Sequence, residues 1–286
     1  MTKTENENLP LVNFLAGGIG NSIAKSVMSP LSRLVVCMQL DDKARNVLPT
    51  LSRIIRNDGL KGLFRGNLTM VIHRFPYSGV QLLVYDRVKC CIRDFTGSEE
   101  SSFLTKCVAG GVSGSIATAL CFPLDVVRTR LMSPQSNYNG IINTLCRITK
   151  EEGKAGLYKG LTPTILQRIP DLCIHFSVYE TSKFWLQKNY ERELGWTGCT
   201  MGASCMAGIT SVSCTLPLDV IRRRMMMDGA GGTTKIYSNM IQCGMHLVRT
   251  TGFGTLYRGF KVELARVVPQ VCLSWYLIES LRECLK

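Results

Sequence analysis

The sequence predicts an all-α membrane protein made of three similar units, each of two long helices joined by a shorter one. Three observations carry that prediction. Proline-led strings recur at a fixed interval: "SPLSRLVVCMQ" from Pro30, "FPLDVVRTRLM" from Pro123 and "LPLDVIRRRMM" from Pro217, in steps of 93 and 94 residues. A second series, Pro76, Pro170 and Pro269, keeps nearly the same beat, in steps of 94 and 99. The segments around the first series are rich in small and apolar residues, and they are long enough to cross a bilayer, which takes about 20 residues at about 1.5 Å each.

Taken in order, the first unit opens with "LPLVNFLAGGIGNSIAKSVMSPLSRLVVCMQ", a long helix kinked at Pro30. Asp58-Gly59 and then Arg65-Gly66 mark the shorter helix and the start of the next long one, "HRFPYSGVQLLVYDRVK". The second unit repeats this with "FLTKCVAGGVSGSIATALCFPLDVVRTRLM", Glu152-Gly153, Lys159-Gly160 and "QRIPDLCIHFSVYETSK". The third has "TGCTMGASCMAGITSVSCTLPLDVIRRRMM", Thr251-Gly252, Arg258-Gly259 and "ARVVPQVCLSWYLIESLR". Unit boundaries fall at 1–97, 98–194 and 195–286. Gly17, Gly18, Gly110, Gly111, Gly114, Gly202 and Gly208 are expected to let helices approach closely in lipid, where the hydrophobic effect does not drive helix association.

Composition narrows the partners. The chain has 286 residues, 34 Lys+Arg against 21 Asp+Glu, and a formal net charge of +13. Such an excess suits nucleic acid, anionic lipid or an anionic ligand. Here the charge is periodic and divided between helix ends, with no nucleic-acid motif and no aromatic stacking platform, so no nucleic-acid partner is expected. The 13 cysteines include no CxxC pair and no Cys/His cluster, and "MTKTENENLP" is not a cleavable secretory start, so they read as reduced packing thiols. His73, His175 and His246 lie too far apart to suggest a metal site. No metal, cofactor or catalytic constellation is implied, and the chain does not read as an enzyme.

These strings resemble the mitochondrial carrier family over nearly the whole chain. The family places Pro-x-acid-x-x-base on its odd-numbered helices, then acid-Gly and aromatic-base-Gly, then aromatic-acid-x-x-base closing its even-numbered helices. Membership implies six transmembrane helices with pseudo-threefold symmetry, each repeat carrying two of them and a short matrix helix. It also implies a multi-pass monomer in the mitochondrial inner membrane, working by alternating access. The resemblance is strongest to the branch carrying adenine nucleotides, ATP-Mg/phosphate and coenzyme A, through "RRRMMM", "RGNLTMVIHRFPYS" and "LYRGF". No calcium-binding extension is expected before the first helix.

The resemblance assigns roles residue by residue. At the matrix gate, Asp125 and Arg128, and Asp219 and Arg222, are three apart and share a helical face, and Asp125 would pair with Arg222. The first repeat departs: Ser32 stands for the acid and Val35 for the base, which leaves Arg128 and Asp219 without their expected partners. Gln39 matches a bracing glutamine, Arg33 stands nearby as a substitute partner, and closure at this end should be weakened. At the cytoplasmic gate all six members are present, with Asp86 expected to pair with Lys183, Glu180 with Arg282, and Glu279 with Lys89.

The substrate contacts implied are Lys25, five residues before Pro30, and His73, Gln167 with Arg168, and Arg266, near the even-helix prolines. His73 replaces an expected Arg or Lys, Gln167-Arg168 replaces a Gly-aliphatic pair, and Asp171 adds a negative charge. Lys25, Arg168 and Arg266 give a cationic site at membrane depth, costly unless an anion uses it, and arginine's planar fork suits phosphate. Arg223, Arg224 and the three methionines read equally as interface charge and helix packing. Gly66, Gly160 and Gly259, after Phe64-Arg65, Tyr158-Lys159 and Tyr257-Arg258, and Gly140 in Tyr138-Asn139-Gly140, are the expected cardiolipin positions at helix N-termini. The function implied is exchange of a phosphorylated anion, most nearly an adenine nucleotide or nucleotide-like cofactor. The alternatives are a different anion (thiamine pyrophosphate, a carboxylate) and a non-transporting membrane scaffold or sensor.

Overall fold

The computed structural model describes residues 17–41, 46–96, 103–133, 138, 140–232 and 236–284. The N-terminal "MTKTENENLP" and Asn139 lie outside them. The elements are α1 (17–27), α2 (Ser29–Leu40), α3 (Val47–Gly62), α4 (Asn67–Thr96), α5 (Phe103–Met132), α6 (Ile141–Glu152), α7 (Leu161–Met227), α8 (Met240–Thr251) and α9 (Phe260–Cys284). No strand occurs among the described residues.

Six long helical segments result. A turn at Met28, ahead of Pro30, divides α1 from α2 within the first segment. The 67 residues of α7 are broken at Gly195, whose φ of +65° a side chain would strain, so α7 comprises two long segments. Prolines 76, 123, 170, 217 and 269 sit inside helices, where each removes a backbone donor and bends the rod. Glycines of the Asp58-Gly59, Glu152-Gly153 and Thr251-Gly252 motifs break or end the short helices: Gly59 interrupts α3 with φ of +69°, and Gly153 and Gly252 follow α6 and α8 with φ of +72° and +87°.

Two stretches, Val108–Met132 and the helix within Lys154–Met227, are apolar and long enough by hydropathy alone to cross a membrane. The other long segments fall short because one face is polar. Their opposite faces expose apolar side chains at helical spacing, as in Ile19, Ile23 and Val27, or Leu68, Ile72 and Phe75; α5 does the same with Val108, Val112, Ile116 and Leu120. That arrangement places apolar groups toward lipid and polar groups toward an interior cavity.

The packed core lies at one end of the bundle. Three clusters are built alike: Leu34, Val35, Cys37, Met38 and Ile54 meet Val262; Phe122, Val126, Val127 and Ile148 meet Met226; Val220, Ile221, Cys243 and Leu247 gather in the third repeat. Val36, Leu40 and Met132 form a fourth cluster between repeats. The run Met225-Met226-Met227 serves three of them in turn, so the methionines are packing residues. Expected helix contacts at small residues are only partly made. A Cβ on Gly208 would stand 2.9 Å from Val267 Cγ1, and one on Gly202 3.3 Å from Leu186 Cδ1, whereas Gly17, Gly18, Gly110 and Gly111 meet nothing within 4 Å among the described residues.

Candidate binding cavity

Between the long helices lies a cavity of about 390 Å³ whose lining includes six cations and four carboxylates: Lys25, Arg128, Arg168, Arg222, Arg223 and Arg266, with Asp125, Asp171, Asp219 and Glu263. Most of the acids are occupied. Asp219 Oδ1 lies 3.2 Å from Arg222 Nε and its Oδ2 2.8 Å from Arg223 Nη2, both on its own helix. Arg266 pairs with Glu263, three residues earlier, and donates to Gln270 Oε1 at 2.6 Å. Asp171 accepts from Ser211 across the two halves of α7.

Three cations remain without an ion pair among the described residues: Lys25, Arg128 and Arg168. Arg74, Arg128, Arg266 and Arg168 all act on Lys25, and all carry its own sign. Arg168 lies over the Tyr77 ring at 5.8 Å. Like charges held together at membrane depth are costly unless water or an anion fills the space between them.

The sequence-derived site residues divide as follows. Lys25, Gln167, Arg168 and Arg266 line the cavity, whereas His73 stands behind it, stacked on Tyr77 with ring centres 5.4 Å apart. His73 Nε2 is 3.7 Å from Asp125 Oδ1, so this histidine faces the gate acid of α5. Asp125 and Arg222 do not pair, because Asp219 holds Arg222 within its own helix. Arg33 is no substitute gate partner: fully buried, it turns away from the cavity to Asp58 and the Gly62 carbonyl. Val35, in the position of a missing base, is fully buried against Gly259.

Closure at this end is nonetheless complete, and it rests on backbone carbonyls. The side chain seven residues after each odd-helix proline reaches the carbonyl nine residues after the proline of the next repeat. Cys37 Sγ is 3.5 Å from Met132 O, Arg130 Nε 3.2 Å from Met226 O, and Arg224 Nε 2.8 Å from Gln39 O, which closes the circle. Gln39 itself is fully buried. The glycines that begin the even helices make the same circuit possible. A Cβ on Gly66 would meet Met132 Cγ at 2.9 Å, on Gly160 the Arg222 carbonyl at 3.0 Å, and on Gly259 Val35 Cγ1 at 3.5 Å. Each also has φ between +80° and +85°, so glycine serves conformation and close approach together.

At the end of α6, Arg130 from the last turn of α5 and Lys159 clamp Glu152. Burial alone would raise that carboxyl, but the hydrogen bonds and charges of the two cations outweigh it and hold it below the usual carboxylate range. Arg33, Asp58 and Arg65 form the matching group in the first repeat. Arg65 and Lys159 also donate to the next repeat, to Tyr138 O at 3.2 Å and Asp228 O at 2.7 Å. In α8, burial pushes the Cys243 thiol up to about 12, in keeping with a reduced packing thiol.

The opposite end is open. None of Asp86, Lys89, Glu180, Lys183, Glu279 and Arg282 makes an ion pair among the described residues, and all but Lys183 are exposed. Lys183 lies over the rings of Tyr179 and Trp196, at 5.6 and 5.7 Å. The structure is thus closed where the odd-helix motifs meet and open where the even-helix motifs would meet. Sequence reasoning missed Glu263, although its step of three to Arg266 places both on one helical face. It also missed Arg74, one residue beyond His73.

Comparison with known proteins gives the same three-part organisation. The family described as mitochondrial carrier protein matches residues 6–95, 99–190 and 196–286. A mitochondrial adenine nucleotide transporter of Arabidopsis thaliana is 32% identical over 96% of this chain and 86% of its own length. A mitochondrial coenzyme A transporter of Xenopus laevis is 30% identical over 99% of this chain and 88% of its own length. A calcium-dependent mitochondrial ATP-magnesium/phosphate carrier of Arabidopsis thaliana is 32% identical over 94% of this chain, which spans 55% of that longer protein. With three matches in frame over a helical bundle of matching threefold construction, the chain belongs to the mitochondrial carrier family.

Proposed function

We propose that the chain is a multi-pass carrier of the mitochondrial inner membrane that exchanges a phosphorylated anion, an adenine nucleotide or a nucleotide-like cofactor such as coenzyme A, by alternating access. The observation that carries this reading is the group Lys25, Arg128 and Arg168, three cations on one cavity without an ion pair. A phosphate chain supplies several negative oxygens within the span of such a group, and charge-assisted hydrogen bonds to it are short and strong. The relatives named for adenine nucleotide and coenzyme A transport support the substrate class.

Binding then couples to movement through the pairs already present. Arg222, Arg223 and Arg266 are held by acids of their own helices, three or four residues away. Such contacts exchange partners without unfolding a helix. An anion that draws Arg266 and Arg222 toward itself favours the state in which the carbonyl circuit at the closed end has opened. The six even-helix charges then meet as Asp86 with Lys183, Glu180 with Arg282, and Glu279 with Lys89. Cardiolipin phosphates at Gly66, Gly140, Gly160 and Gly259 would tie the short helices to the bilayer around a monomer.

The test is uptake of labelled ADP, ATP, coenzyme A, thiamine pyrophosphate and a dicarboxylate into liposomes, with and without internal substrate. Nucleotide or coenzyme A uptake that needs internal substrate is expected. Lys25→Ala and Arg168→Ala should each lower it about tenfold or more while leaving thermal stability unchanged. A folded protein that moves none of these anions would instead be the membrane scaffold or sensor.

A further inference from the structure

A second cleft, of about 380 Å³, lies between α1 and α4 and is lined on one side by Gly17 and Gly18. These are the small residues expected to draw helices together, yet a Cβ on either would meet no atom of the described residues within 4 Å. The space is therefore left open by the helices that border it.

Its floor and its outer wall differ in chemistry. Arg74, Ser78, Gln81 and Tyr85 follow one another at steps of four, three and four, one polar stripe of α4 that faces the cleft. Phe75 and Leu82 border the same space, and each is 55% exposed, on the side where apolar residues of α4 would meet lipid. Arg74 is half-buried and makes no hydrogen bond or ion pair among the described residues. The side chains that act on it are the Tyr77 ring hydroxyl and the cations Arg168 and Lys25. A half-buried guanidinium at membrane depth without an ion pair among the described residues is costly unless an anion reaches it. Because Arg74 lines the α1/α4 cleft and not the central cavity, that anion would come from the bilayer side.

We propose that the cleft between α1 and α4 binds an anionic acyl amphiphile from the bilayer, its head group on Arg74 and its chain passing outward over Phe75 and Leu82. The fit follows from placement: Arg74 to Leu82 spans roughly 12 Å at about 1.5 Å per residue, along which a chain lies against the outer wall. The polar stripe offers Ser78, Gln81 and Tyr85 to the remaining head-group oxygens. A carboxylate head and a phosphate head share the required chemistry. The proposal rests on the membrane placement of the chain and not on the identity of the transported solute.

The experiment uses the full-length protein in phosphatidylcholine liposomes with a photoactivatable fatty acid, and its uncharged alcohol analogue as control. Labelling by the acid should concentrate on α1 and α4 and fall about tenfold or more in Arg74→Gln, with Arg74→Lys retaining most of it. Gly18→Leu, which fills the open space without touching a charge, should lower labelling as well, and it keeps the test valid if Arg74→Gln proves unstable. Displacement of the probe by phosphatidate would show that phosphate heads share the site. Displacement by unlabelled fatty acid alone would assign it to carboxylates. Equal labelling by acid and alcohol, or labelling indifferent to both Arg74→Gln and Gly18→Leu, would overturn the proposal. Nucleotide uptake measured on the same liposomes separates the two readings, since retained Arg74-dependent labelling without uptake sinks only the transport assignment.

Discussion

Replacing Arg33 with alanine isolates the first repeat's main departure from its neighbours. In repeat two, Arg130, seven residues after its proline, holds Glu152; in repeat one that place is Cys37, and the arginine stands one helical turn earlier. The Arg33 side chain is fully buried, donates to the Gly62 carbonyl and pairs with Asp58. Removing it takes a charged donor from that carbonyl, which keeps the Arg65 N–H at 3.0 Å, a cost of about 1.5–3 kcal/mol, and opens a void where the side chain packed. Asp58 is not stranded, since its carboxylate keeps Arg65 at 3.3 Å and is 26% exposed. The total therefore belongs at the low edge of the range for breaking a buried pair, about 3 kcal/mol. At about 2–4 °C per kcal/mol for a chain of this size, the melting temperature should fall by roughly 6–12 °C. Thermal unfolding of the purified protein, followed with a thiol-reactive dye, reads this directly, because Cys121, Cys199 and Cys243 are buried in the folded state. Adding Cys37→Arg to Arg33→Ala restores the arrangement of repeat two and should recover at least about half of the loss. A fall under about 2 °C, or a double variant less stable than the single one, would refute the reasoning.

Four further outcomes are expected. Because Glu152 is held below its ordinary range, its clamp contributes stability that is present above an unfolded value of about 4.3 and is lost as pH falls through the folded one. The wild-type melting temperature should drop more steeply below about pH 4.3 than that of Glu152→Gln, which starts lower and lacks this slope. Gly160→Ala should cost about 1–3 kcal/mol more than Gly140→Ala in melting experiments; both have positive φ, but only Gly160 would press a Cβ to 3.0 Å from a carbonyl oxygen. Ser32→Asp places a carboxylate on the cavity wall that also carries Arg128, and should favour the present closed end by about 0–1 kcal/mol. Val35→Lys buries an ammonium in a closed cluster and should lower expression and melting temperature outright.

The repeat period, the helices and the closed-end motifs were legible in the sequence because they are local chemistry: prolines, acid-Gly stops and base-Gly starts act within a few residues of where they stand. The cavity cations Lys25, Arg168 and Arg266 were legible from their register to the prolines. What escaped depended on partners in three dimensions. Asp125 and Arg222 share the expected register, yet each finds a nearer group, His73 for one and Asp219 for the other. Arg33 looked like a gate residue in "PLSRLV", but its direction around the helix turns it to α3. Glycine spacing announced close contact at Gly17 and Gly18, and only the packed structure shows that the neighbouring helix stays away.

The closed end shows why a missing ion-pair ring need not leave a carrier open. An ion pair in a wet cavity contributes little, because water competes for both charges, whereas a donor driven into a buried carbonyl of the next repeat removes two polar groups from solvent together. Three such contacts close a circle around the buried Met132 and Met226. The circle is not uniform. Arg130 and Arg224 bring charged donors to their carbonyls at 3.2 and 2.8 Å, while the α2/α5 contact is a thiol at 3.5 Å, a weak donor. The arginine that would have tied this contact stands one turn away and secures α3 to α2 within the first repeat. Repeat one is thus bound more firmly to itself than to repeat two at that point, and in this circuit the α2/α5 contact is the one that costs least to separate.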